Sequence, residues 1–263
     1  MKKLLYLLSL SFLILQSCSS SDSSNANNQT LTGKLKRIHV IPSGGGSQLN
    51  DDFFYDDNGR LIKQTTTELS NNQITSTVLF LRDANGYIIN KFESGSSNYS
   101  TNTNYVVDSN GVYLSSVETK TNAGVSNQVT ASYSYTNNKI SQINFSDGHQ
   151  EKYTYDANGN CIKTEIFYDA PSKPDRVAIA TFDNKVNPFP YDDVLRYTVG
   201  NNNFTSSIES YYDSTQALIG TVNQVVQYSY NSNNTPHTAV FTITDTITIS
   251  AGTTSGAYEF IYY

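Results

Sequence analysis

The sequence predicts an all-β protein, an antiparallel meander of repeated hairpins that is strongly twisted and rolled into a barrel or an open shell. Three observations support this fold class. A strand–turn–strand unit recurs along much of the chain. Beyond residue 30, the 3.6-residue apolar period of amphipathic helices is nearly absent. The chain has 20 Tyr, 12 Phe and no Trp, and only 15% of its residues are charged; aromatic side chains favour strands.

The unit is clearest at Tyr153–Ile162, where the sequence is Tyr-Thr-Tyr-Asp-Ala-Asn-Gly-Asn-Cys-Ile. Tyr153 and Tyr155 are two residues apart, so a strand points both to the same face. In the turn that follows, Asp can bond its own backbone, Asn tolerates left-handed φ, and Gly takes positive φ without a Cβ clash. Asn-Gly between β-prone runs is a strong hairpin signal. We therefore predict that each unit is one hairpin.

Further copies of the unit follow at intervals of 20 to 28 residues. A period of this size is typical of repeat architectures, in which a single unit is too small to bury its own apolar face. A variant copy has Asn137-Asn138 at its turn, and a weaker copy begins at Tyr228. We assign a structural turn role to four Asn-Gly pairs, namely Asn58-Gly59, Asn85-Gly86, Asn110-Gly111 and Asn158-Gly159.

Apolar residues after these turns are often three positions apart, as in Leu114 and Val117 or in Ile140 and Ile143. An odd spacing would place the two side chains on opposite faces of a regular strand. A β-bulge near the glycine returns both to one face, so the spacing predicts a bulge there.

Residues 1–17 are interpreted as a lipoprotein signal peptide. Lys2 and Lys3 precede an apolar run that is too short for a spanning helix. Leu15-Gln16-Ser17-Cys18 resembles a bacterial lipobox, in which the cysteine is diacylated and becomes the mature N-terminus; ordinary cleavage near Ser17 is the alternative. Residues 18–30 are rich in Ser and Asn and are predicted to be a flexible tether. Residues 31–263 then form a single all-β domain.

Lipidation at Cys18 predicts an outer-membrane location, with the cell surface favoured over the periplasmic face. The Ser-Ser-Ser-Asp that follows Cys18 only partly resembles the acidic surface-export signal, so both faces stay open. The chain has 17 basic and 23 acidic residues, and this acidic balance argues against nucleic acid as a partner. Acylation of Cys18 would leave Cys161 as the one thiol, for which a small packing role is expected.

β-prone runs predict strands at 34–41, 52–56, 60–68, 74–82, 87–94, 99–107, 112–121, 128–135, 139–145, 149–155, 160–168, 176–183, 206–212, 222–230, 237–250 and 257–263. The short loops between them predict antiparallel neighbours. A Pro-rich excursion at 169–204 interrupts this pattern. Within it, residues 191–197 are predicted to form a short helix that has Pro190 at its first position. We expect the excursion to cover an end or one face of the sheet.

The Tyr-x-Tyr-Asp-x-x-Gly units resemble the YD repeats of Rhs-type proteins, whose hairpins stack into a long curling sheet around a cargo. Rhs shells use many more repeats and carry a toxin domain. The layout from about residue 35 to 263, with its Asn-Pro-Phe segment at Asn187, resembles a group of Bacteroidetes-type surface lipoproteins of unknown function. That resemblance implies a meandering sheet rolled into a porin-like barrel, and it implies no activity, cofactor or ligand.

No catalytic residue, metal site or cofactor motif is predicted. The Asp-rich turns lack the distal bidentate Glu of calcium loops. Glu165 and Glu209 lie mid-strand and are the weak candidates for the paired carboxylates of a glycoside hydrolase. Two triplets match a bacterial O-glycosylation pattern, Asp213-Ser214-Thr215 and Asp245-Thr246-Ile247. The three histidines have no partner at metal-ligand spacing; they are His39, His149 and His237.

The favoured function is a non-enzymatic, surface-anchored module that binds a glycan or a protein. Tyr-rich strand faces or the 169–204 excursion would supply the contact, since tyrosine rings are good platforms for sugars and peptides. A core position is the alternative role for any single Tyr. The rival functions are a glycoside hydrolase-like enzyme and a purely structural component of the cell envelope. A membrane-spanning barrel is the rival fold, and the polar residues on both strand faces of Cys161–Glu165 argue against it.

Overall fold

A computed structural model describes residues 32–95, 98–168, 172–189, 200–247 and 251–263. The signal peptide, Cys18, the tether and the predicted helix at 191–197 lie outside the described residues. In the described part of the chain, sixteen strands pair with their sequence neighbours in one antiparallel sheet, and β16 pairs with β1. The all-β prediction is confirmed, and the sheet is a closed barrel rather than an open shell.

The strands are β1 (Leu35–Pro42), β2 (Leu49–Tyr55), β3 (Leu61–Glu68), β4 (Gln73–Arg82), β5 (Ile88–Gly95), β6 (Tyr99–Val107), β7 (Tyr113–Asn122), β8 (Val125–Thr136), β9 (Lys139–Phe145), β10 (Gln150–Tyr155), β11 (Cys161–Phe167), β12 (Arg176–Val186), β13 (Asn202–Tyr212), β14 (Leu218–Tyr230), β15 (Pro236–Asp245) and β16 (Gly252–Tyr262). All the predicted strands are present with shifted ends. β13 and β14 begin earlier than predicted, and β15 ends earlier. β13 and β14 are longer than predicted because their backbone pairing continues through Asn, Gly and Thr positions, where apolar and polar residues no longer alternate.

The repeated turns share one hydrogen-bond pattern. Asp56 Oδ1 accepts the backbone N–H groups of Asn58 and Arg60, both at 2.9 Å. The Gly59 N–H donates to the Asp56 carbonyl at 2.8 Å. The same two-donor pattern recurs at Asp83 and Asp108. The carboxylate therefore satisfies the turn backbone, which explains why an Asp stands at the start of each of these turns.

The glycine, and not the asparagine before it, takes the left-handed conformation in these turns. Gly59, Gly86, Gly111 and Gly159 have positive φ, whereas the preceding asparagines do not. This differs from the expectation for Asn, because the turn is closed at the glycine as in a hairpin with a bulge. Left-handed asparagines occur instead in the β8–β9 turn, at Asn137 (φ 52°) and Asn138 (φ 60°).

The predicted bulge is confirmed. In the β8–β9 hairpin, Tyr135 pairs with Ile140 and Ser134 pairs with Gln142, so Ser141 is an extra residue. Ile140 and Ile143 consequently both point into the barrel, and they are only 4% and 2% exposed.

The equivalent bulge in β7 corrects one expected pair. Here the extra residue is Leu114, because Val107 pairs with Tyr113 and Val106 pairs with Ser115. Leu114 is 50% exposed, and the buried residues three apart are Tyr113 and Ser116. The bulge is present as predicted, but the buried pair that it creates is Tyr113 and Ser116 and not Leu114 and Val117, because the extra residue lies one position earlier than a buried Leu114–Val117 pair requires.

Tyrosine hydroxyls join neighbouring hairpins. A Tyr near the end of one strand donates to the carbonyl of the first inward residue of an earlier strand, which lies 15 to 26 positions back along the chain. Burial raises the pKa values of Tyr135 and Tyr155, and that of Tyr262 to about 12, so these three phenols remain protonated donors. In the described residues the bonds run from Tyr55 to Leu35 (2.7 Å), Tyr135 to Tyr113 (2.7 Å), Tyr155 to Ile140 (2.8 Å) and Tyr262 to Pro236 (3.0 Å).

The turns after even-numbered strands lie at one end of the barrel, which we call the repeat-turn end. The interior near this end is apolar. Phe189, just after β12, adds to this core, and its ring meets that of Phe53 edge-on at 6.4 Å between centroids. The main cluster consists of Leu35, Ile38, Val40, Phe53, Leu61, Val78, Phe80, Ile88, Val226, Ala239, Phe241, Tyr258 and Phe260.

The outer face of the barrel is largely polar. In β8, for example, the outward residues are all exposed and polar: Ser126, Gln128, Thr130, Ser132 and Ser134. Scattered apolar exceptions include Ile179 and Ile208, which are 56% and 53% exposed and face each other across β12 and β13. Among the described residues, no helix has the length and apolarity needed to cross a membrane.

Candidate binding site in the barrel interior

The interior becomes polar toward the opposite end of the barrel, away from the repeat turns. We call this region the polar half. In the strands from β5 to β15, the pairing register shows which side chains of this region point into the barrel. Among the described residues here, carboxylates outnumber cations, which disfavours an anionic ligand. The charged members are Lys91, Glu93, Glu118, Lys120, Glu151, Arg176, Glu209 and Asp245.

Strands β5 and β7 carry two of these ion pairs. Lys91 Nζ lies 3.2 Å from Glu93 Oε2, and Lys120 Nζ lies 2.8 Å from Glu118 Oε1. On the intervening strand β6, register places Thr103 between Lys91 and Glu118. Charge is therefore balanced locally in this part of the interior.

A second cluster lies on β12 and β13. Arg176 is 4% exposed, and its Nη2 donates to Glu209 Oε1. The Tyr211 hydroxyl donates to the other Glu209 oxygen, and the Arg176 guanidinium lies 5.0 Å from the centre of the Tyr211 ring. Burial, followed by the Glu209 charge, raises the pKa of Tyr211, so the phenol keeps its proton and donates. The cluster is a pre-formed polar surface inside the barrel.

The structure separates the two glutamates that were candidates for paired catalysis. Glu165 points outward from β11, where its Oε1 lies 2.8 Å from Lys163 Nζ. Glu209 points inward, in register with Ala178 of β12. The two carboxylates lie on opposite faces of the sheet and cannot act on one glycosidic bond, so this pairing is wrong.

Register does bring a different carboxylate near Glu209. Val222 pairs with Glu209 on one side and with Asp245 on the other, so both carboxylates flank it on the inner face. Asp245 Oδ1 accepts the backbone N–H of Ile247 at 2.7 Å. Glu209 is held by Arg176 and Tyr211. Both groups are engaged in binding protein donors, which does not suit a general acid that must release a proton to a leaving group.

Other predicted residues lie apart from this cluster. Cys161 is a buried free thiol in a small apolar cluster with Ile143 and Tyr153, and burial raises its pKa. The glycosylation triplet at Asp213 forms the β13–β14 turn, and Thr246 of the other triplet bonds the Thr221 backbone. Within the described ranges, no group of three His, Cys, Asp or Glu side chains could hold a metal ion.

The chain was compared with protein-family models and with curated proteins, and neither comparison gave a match. Among solved structures, it is similar to a porin-like protein from Bacteroides uniformis, with a TM-score of 0.55 and 12% identity. That alignment covers 88% of this chain and 99% of the other. A porin-like protein from Bacteroides vulgatus gives a TM-score of 0.51 and 10% identity, with 88% and 98% covered. At such low identity the similarity is one of fold, and this chain has the fold of these porin-like barrels.

Proposed function

We propose that this protein is a non-enzymatic binding module of the bacterial cell envelope, lipid-anchored through Cys18, whose polar half takes a glycan. The observation that carries the proposal is the contrast within the barrel. Apolar side chains and Phe189 fill the repeat-turn end, whereas charged and hydroxyl side chains line the interior at the other. A barrel that needed only stability could fill both ends with apolar residues, because buried ion pairs rarely add net stability.

The polar outer face supports a barrel that stands in water. Spanning barrels present an apolar band outward, about 25 Å tall. The exposed Ser, Thr and Gln of β8 instead suit contact with water. The sequence from Leu15 to Cys18 then supplies the membrane attachment, and the fold shared with porin-like proteins is consistent with the envelope as its location.

An array of glycans and envelope proteins, probed with residues 19–263, which contain the whole described barrel, tests this function. We expect binding to a restricted set of glycans, with the same glycans recovered unchanged after long incubation. Cleavage of the bound glycan would favour the hydrolase, with Glu209 and Asp245 as the first residues to replace. Binding only to envelope proteins would favour a protein partner. No ligand of either class would leave a structural role in the envelope.

A further inference from the structure

Two buried polar side chains in the polar half have donors without a partner. Gln224 is 4% exposed, and its amide Nε2 has no hydrogen-bond partner among the described residues. Arg176 is equally buried, and its Nε lacks a partner in the same way. Buried donors are nearly always paired, and each unpaired one is destabilising. A ligand that supplies acceptor oxygens would remove this cost.

The two donors belong to one region. Gln224 of β14 is in register with Ser207 and Ile243, and its strand neighbour Val226 belongs to the apolar core, so its side chain points into the barrel. Glu209 pairs with Val222, which makes it a diagonal neighbour of Gln224, about 7–8 Å away between Cα atoms. Glu209 also binds Arg176, so this carboxylate lies between the two unpaired donors.

This region lies toward the end of the barrel opposite the repeat turns. Glu209, Tyr211 and Asp245 are half-buried and stand near the ends of β13 and β15. Gln224 lies one inward position deeper, above the apolar core. From this end inward, the carboxylates and the tyrosine come first, with the buried Ile247 packed against Gly220 beside Tyr211, and the Gln224 amide comes last.

The donor and acceptor pattern selects the chemistry of the ligand. The unpaired Gln224 and Arg176 donors require acceptor oxygens. The charges of Glu209 and Asp245 exceed that of Arg176, which disfavours a carboxylate, sulfate or phosphate on the ligand. Hydroxyl groups can accept from the two donors and can also donate to a carboxylate such as that of Glu209, which accepts more than one hydrogen bond. An uncharged polyhydroxyl ring meets all of these requirements.

We propose that Arg176, Glu209, Tyr211, Gln224 and Asp245 form a subsite for the uncharged terminal sugar of a glycan. The proposal rests on the binding function proposed above and assigns it a place and a ligand class. Strands β5 and β7 provide a contrast within the same barrel, since they carry ion pairs as Arg176 and Glu209 do, but none of the described buried polar atoms that lack a partner lies on them.

The test uses two matched variants of residues 19–263. Gln224→Leu removes the buried amide and keeps its approximate volume. Gln227→Leu is the control, because Gln227 lies on the same strand but is exposed on the outer face, in register with Val240. Titrations with the neutral glycan that binds best on the array should show at least tenfold weaker binding for Gln224→Leu and no change for Gln227→Leu. The melting temperature of Gln224→Leu should equal or exceed that of the wild type, because an unpaired buried amide has been removed.

A second variant keeps the proposal testable if Gln224→Leu does not fold. Arg176→Lys retains a cation for Glu209 and removes the Nε donor, so it should also weaken neutral-glycan binding severalfold. Binding by both variants within twofold of the wild type would overturn the subsite and leave the binding function intact. Array binding restricted to sulfated or uronic-acid glycans would overturn the ligand class. Failure of the wild type to bind any glycan would overturn the binding function and the subsite together.

Discussion

Replacement of Gly111 by Ala tests whether successive turns pack on one another. Gly111 has φ 84°, and a Cβ at this position would lie 2.5 Å from Tyr87 Cζ and 2.8 Å from the Tyr87 hydroxyl. Gly124 is a matched control, with φ 83° and no atom within 4 Å of an added Cβ. A left-handed alanine costs about 1–2 kcal/mol in either turn. Displacement of Tyr87 adds an overpacking cost of about 1–3 kcal/mol at Gly111 alone.

Urea unfolding of residues 19–263, followed by far-UV circular dichroism, measures both costs. We expect Gly111→Ala to lower the free energy of unfolding by at least about 1 kcal/mol more than Gly124→Ala, with an unchanged m-value. Adding Tyr87→Ala to Gly111→Ala should remove this excess, as a double-mutant cycle would show. Equal effects of the two glycine variants would refute the idea that Gly111 makes room for Tyr87 of the preceding repeat.

Three further variants test other parts of the molecule. Tyr135→Phe removes the bond to the Tyr113 carbonyl and should lower the free energy of unfolding in urea by about 0.5–1.5 kcal/mol; an unchanged midpoint would contradict the hairpin-joining role. Backbone N–H groups, that of Val112 first, hold the pKa of Asp108 below its usual value. The ionised Asp108 carboxylate therefore contributes fully to the free energy of unfolding above about pH 4, and this contribution is lost as the pH falls through the lowered pKa of the folded state. The free energy of unfolding of Asp108→Asn should consequently fall less than that of the wild type as the pH is lowered. Cys18→Ala should move the protein out of the membrane fraction, and unchanged fractionation would count against lipid anchoring.

Much of the fold was predictable because its determinants are local. The Asp and Gly of each repeated turn act within five residues, so a single copy such as Asp156–Asn160 contains the whole signal for a hairpin. Short turns then leave an antiparallel meander as the consistent topology. Closure of that meander was not predictable in the same way, because the pairing of β1 with β16 joins residues at the two extremes of the domain.

The candidate site depends on details that the sequence does not display. Every bulge reverses which residues of a strand point inward, so the faces of Glu165 and Glu209 could not be compared without counting the bulges between them. Arg176, Glu209 and Asp245 are far apart along the chain and meet only through the register of four strands. The sequence showed that tyrosines recur in the repeats, but it did not show that their hydroxyls bind carbonyl groups of earlier strands.

The pairing of the first and last strands also determines at which end of the barrel the described chain begins and ends. The Tyr263 N–H bonds the Lys34 carbonyl and the Gly33 N–H bonds the Tyr263 carbonyl, both at the repeat-turn end. Thr32, the first described residue, therefore stands at the apolar end of the barrel. If Cys18 carries the proposed lipid anchor, the attachment begins on the side of the apolar end, and the polar half is the part of the barrel farther from it. Under the proposed function, the proposed sugar subsite would then lie at the end of the barrel remote from the attachment.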